Sequence, residues 1–127
     1  MRSYDVAIAS LAIGSPAKWT DNLLSQHIIP DVISARRGVP RRITYAALVR
    51  LAVIRELNQR LGVGVADAVA MADQVLFAGA DGVITVGPIR VEIDLSAVER
   101  ALMQRLGDAL ESAPVSRRGR PRKRGGM

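Results

Sequence analysis

One apolar stretch, residues 44–61, constrains this chain more than any other. Ala47, Leu51, Ile54, Leu57 and Leu61 recur at steps of four, three, three and four, which is the spacing of one helical face. Thr44 stands where its hydroxyl can cap the first turn. From Ala46 to Ile54 the stretch is apolar on most sides, and it turns polar only across residues 55–60, so it reads as a central helix covered by its neighbours. Just before it, Arg36, Arg37, Arg41 and Arg42 flank Gly38-Val39-Pro40, and no acid lies between Asp31 and Glu56. Such a turn can splay guanidinium groups outward as a basic wing hinged on the helix. A solvated, arginine-rich surface loop is the other reading.

The cover for this helix must be built from small side chains. Nearly half of the 127 residues are apolar, yet there are only one Phe, two Tyr and one Trp, which leaves Ala, Val, Ile and Leu to form the core. The expected class is therefore mainly α with short β elements, in one domain plus appendages. The absence of cysteine excludes disulfides, thiolate metal sites and cysteine nucleophiles. His27 has no partner in sequence, and neither a Ser/His/Asp set nor a phosphate-binding glycine loop is present, so no catalytic residue, metal or cofactor is expected. With no long apolar run and no basic region before an apolar core at the start, the expected location is cytoplasmic, at the nucleoid.

Residues 6–13 read as a short apolar helix stopped by Gly14. Ser15 then caps a second helix, residues 16–27, with Pro16 at its first position. This second helix should bury Trp19, Leu23 and Leu24 and expose Lys18, Thr20, Asp21, Asn22 and Gln26. Asn and Gln can pair with adenine, and Lys or Thr can reach phosphates or base edges. An ordinary amphipathic helix is the competing account. Residues 31–33 start a short strand that turns near Gly38 and returns through Ile43, and a fourth helix covers residues 65–76 with Val65, Val69, Ala72 and Leu76 on one face.

The succession of helix, Gly14-Ser15-Pro16 turn, second helix, basic wing, Arg42-Ile43-Thr44 cap, Leu48-x-x-Leu51-x-x-Ile54-x-x-Leu57 and Leu61-Gly62-Val63-Gly64-Val65 resembles the winged helix-turn-helix head of the MerR family, over about residues 4–76. The resemblance implies a double-stranded DNA-binding domain, residues 1–77, whose second helix enters the major groove; the residues of that helix expected to contact DNA, from their own chemistry, are Ser15, Lys18, Thr20 and Asn22. Arg36, Arg37, Arg41 and Arg42 would grip phosphates beside it. Two features depart from the family. The centre of the second helix reads Trp19-Thr20-Asp21-Asn22 where the family carries an arginine followed by aromatics, and no long dimerising helix follows.

Residues 78–112 follow a different pattern. Val83–Val86 and residues 89–95 flank Gly87-Pro88, and the second run alternates Ile89, Val91, Ile93 and Leu95 with Arg90, Glu92 and Asp94, as in a two-stranded ribbon closed by a loose bend. Glu92 and Asp94 read as a solvated strand face rather than a catalytic pair. Ser96 should cap a helix to residue 112, with Glu99 completing a capping box. Its stripe of Val98, Leu102, Leu106 and Leu110 is expected to form a homodimer, or to hold a partner protein such as a toxin.

The charge of the chain is unevenly placed. Residues 1–116 hold twelve basic and twelve acidic side chains, so the whole excess of +6 lies in residues 117–127. Arg118-Gly119-Arg120-Pro121, flanked by Arg117, Arg122, Lys123 and Arg124, resembles an AT-hook. Gly119 would let the backbone approach the groove floor, Pro121 would hold an extended path, and the arginines would enter a narrow A·T-rich minor groove. A polybasic tail without sequence preference is the alternative. The expectation is a sequence-specific DNA-binding transcription regulator. The alternatives are a DNA-binding antitoxin acting on a toxin through residues 83–112 and an architectural, excisionase-like protein.

Overall fold

The computed structural model describes residues 2–33, 38, 40–77 and 81–112. The fold is mainly helical. In chain order it runs β1 (Ser3–Tyr4), α1 (Val6–Ile13), α2 (Ala17–Gln26), β2 (Val32–Ile33), β3 (Arg42–Thr44), α3 (Tyr45–Leu61), α4 (Val65–Val75), β4 (Val83–Val86), β5 (Ile89–Glu92) and α5 (Leu95–Ser112). Strand β3 is the middle of a small antiparallel sheet ordered β1-β3-β2, and β4 pairs with β5 in a separate ribbon.

Helix α3 is central, as its apolar circumference requires. Ala47, Leu48, Leu51, Ala52, Val53, Ile54 and Leu57 are all buried, and α1, α4, α5 and β3 surround them. The Thr44 hydroxyl accepts from the Ala47 amide at 3.3 Å and donates to the Asp31 carbonyl at 2.7 Å, so one side chain both caps the helix and ties it to the strand connection. Leu61, expected on the buried face, is 60% exposed, because the helix outruns its cover in the last turn. In α4 the buried row is Ala68, Ala72 and Val75, while Val65, Val69 and Leu76 lie at its margins. That shift brings the small alanines against α3.

Three local expectations are corrected. Gly87-Pro88 closes a tight two-residue hairpin, since Val86 pairs with Ile89; Gly87 takes a positive φ of 56° at the first central position. Helix α5 begins two residues earlier than expected and is capped by Asp94, whose carboxylate accepts from the Ala97 amide at 3.0 Å. Ser96 and Glu99 therefore form no capping box, and Glu99 instead accepts from the Tyr45 hydroxyl at 3.0 Å. Gly82 shows why the ribbon closes where it does. A side-chain carbon there would lie 2.4 Å from the Ile93 carbonyl oxygen, while the Gly82 carbonyl accepts from the Ile93 amide at 2.8 Å.

The α5 stripe is also corrected. Leu102 is 1% and Leu106 5% exposed, Val98 packs against the same core, and only Leu110 is substantially open, at 40%. Their cover is α1, with α3 behind it, so this stripe holds α5 to its own chain and is not free for a second copy. Residues 81–112 share one continuous core with residues 4–77, through Ile84, Leu102 and Leu106.

Candidate functional site

Helices α1 and α2 meet across a buried cluster of hydroxyls. Ser10 Oγ donates to Thr20 Oγ1 at 2.8 Å, and Ser15 Oγ shares a 2.9 Å hydrogen bond with the same atom. Thr20 is fully buried, and these partners satisfy a hydroxyl that is excluded from water. This corrects one expected DNA contact, since Thr20 faces the interior, and one expected cap, since half-buried Ser15 bonds to Thr20 and the cap position of α2 is Pro16.

Exposed on α2 are Lys18, Asp21, Asn22, Ser25 and Gln26, one polar face opposite the buried Thr20 and Leu23. Arg41, just before β3, lies against it. Its Nη1 pairs with Asp21 at 3.4 Å and its Nη2 donates to Ser25 Oγ at 3.3 Å. Arg42 points elsewhere: its Nε donates to Ser3 Oγ at 3.1 Å and its Nη2 to the Ser3 carbonyl at 2.7 Å, which fastens β1 to the sheet. Neither guanidinium is splayed outward as the turn sequence led us to expect. Arg36, Arg37, Arg117, Arg118, Gly119, Arg120, Pro121, Arg122, Lys123 and Arg124 lie outside the described residues.

At the other end of α2 stands a group that the sequence did not single out. The Arg55 guanidinium sits 4.9 Å from the centre of the Trp19 ring and donates from Nη2 to the Gly14 carbonyl at 3.2 Å. Arg60 and Arg105 join it around an open recess of about 350 Å³. These residues come from α3 and α5 and meet α2 only through the tertiary fold. The sole sequence signal was the change from apolar to polar after Ile54.

A larger recess, about 1000 Å³, lies between α5 and the start of α3 and is lined by Tyr4, Tyr45, Glu99, Met103 and Leu110 among others. Burial, reinforced by the Glu99 carboxylate, raises the Tyr45 hydroxyl above the ordinary tyrosine pKa. Among the described residues no three His, Cys, Asp or Glu side chains converge as metal ligands, and no helix is long and apolar enough to cross a membrane. Comparisons with protein-family models, with curated proteins and with solved structures find no match for this chain.

Proposed function

We propose that this chain is a non-catalytic, sequence-specific DNA-binding regulator of transcription, a winged helix-turn-helix in which α2 enters the major groove and the β2-β3 pair lies on the adjacent backbone. One observation carries the reading. The exposed face of α2 is a row of side chains able to bond base edges and phosphates, and Arg41, arriving from β3, bonds to that same face, so helix and strand pair present one continuous surface. The buried hydroxyl cluster supports it by fixing how α2 projects from α1. Lys18 and Asn22 are the base- and phosphate-contacting candidates that remain exposed. The basic residues 117–124 would follow a neighbouring minor groove.

Selection of bound duplexes from a random pool tests this directly. A recovered motif, with binding to it weakened about tenfold or more by Asn22→Ala, is the expected result. Recovery of no motif would remove sequence-specific regulation. A second reading, an antitoxin that grips a partner protein through residues 83–112, draws on the exposed apolar Met103 and Leu110, which line the large recess between α5 and the start of α3. A genome-wide binding profile separates the two, since a regulator occupies several sharp sites and such an antitoxin its own promoter.

A further inference from the structure

The recess at the Gly14 turn gathers positive charge that the fold itself does not neutralise. Arg55, Arg60 and Arg105 line it with the single acid Glu56, and Glu56 is engaged by Arg60. Among the described residues no carboxylate pairs with Arg55 or Arg105, and the buried Nε of Arg55 has no hydrogen-bond partner. The Arg105 guanidinium rests over the turn, its Nη1 3.4 Å from where a side-chain carbon on Gly14 would sit. Guanidinium groups held together without a counter-ion repel one another, and their fixed forks suit phosphate oxygens.

We propose that this recess binds a backbone phosphate of duplex DNA, on the strand opposite the one on which the β2-β3 pair would lie. The proposal rests on the reading of α2 as the groove-entering helix. The 10 residues of α2 span about 15 Å, while the major groove is about 12 Å wide and bounded by a phosphate row on each side. Arg41 meets α2 at its middle and last turn, at Asp21 and Ser25, and the recess meets the chain at Gly14, ahead of the first turn of α2. The recess thus stands ahead of the first turn of a helix just long enough to bridge the groove, while the β2-β3 pair, through Arg41, lies against the middle and last turn of that helix.

The test is the salt dependence of full-chain binding to a preferred duplex, for the parent, Arg105→Ala, Arg105→Lys and Asn22→Ala. Arg105 is exposed, so thermal melting should be unchanged and a loss of binding is not a loss of fold. Arg105→Ala should lower the magnitude of the log–log salt slope by about 0.9 and weaken binding about fivefold at 0.15 M salt, and Arg105→Lys should restore most of the slope. If Asn22→Ala weakens binding but Arg105→Ala leaves the slope intact, the recess is not a phosphate site and the reading of α2 stands. A parent chain that binds no duplex overturns both.

Discussion

Thr20 carries a hydroxyl to a place water does not reach, and that hydroxyl exists there to satisfy Ser10 and Ser15. Replacing it with Val keeps the shape and removes the shared partner, leaving the buried Ser10 Oγ–H with nothing to donate to. Thr20→Val should therefore cost about 1–3 kcal/mol in urea denaturation. If the joint also sets the projection of α2, DNA affinity should fall further than that of an equally destabilised core variant. Equal affinities would show that the cluster stabilises without orienting. The same residue shows where sequence reading stops: a threonine beside lysine, aspartate and asparagine looks exposed, and only the fold places two serines against it. Thr44 was legible as a cap because that role is local, three residues ahead, whereas its bond to the Asp31 carbonyl, thirteen residues back, was not.

Helices and strands were legible where apolar spacing was regular. The bounds of α1, the length of α3 and the pairing of β4 with β5 all follow from it, although the second strand, expected over residues 89–95, ends at Glu92, where Asp94 turns the chain into α5. What the spacing could not give was the cover on each stripe. Leu102 and Leu106 look the same in sequence whether they meet α1 or a second copy, and the structure puts them against α1. Leu102→Ala should then destabilise the folded chain by about 2–5 kcal/mol, as emptied core sites do. Sedimentation of the folded variant should return the parent's mass. A variant of unchanged stability and halved mass would restore the dimer seam and displace α1 as the partner.

At the scale of the molecule, the charge is divided between placement and quantity. Residues 1–116 are neutral overall, so any attraction of the folded part to DNA depends on where Lys18, Arg41, Arg55 and Arg105 stand, while residues 117–127 supply all of the net +6. The two contributions differ in kind. Side chains fixed at the ends of α2 can select a register on the duplex, whereas a run of arginines adds affinity on any duplex, and more in a narrow A·T-rich minor groove if it acts as an AT-hook. Truncation after Ser116 should leave the preferred core motif unchanged and lower the magnitude of the salt slope by up to about five units, since each phosphate contact contributes roughly 0.9. The loss of affinity should be greater on a core site with A·T-rich flanks than on the same core with G·C-rich flanks. An equal loss on both would make the segment a plain polycation, and a changed core motif would move sequence selection from α2 to the tail.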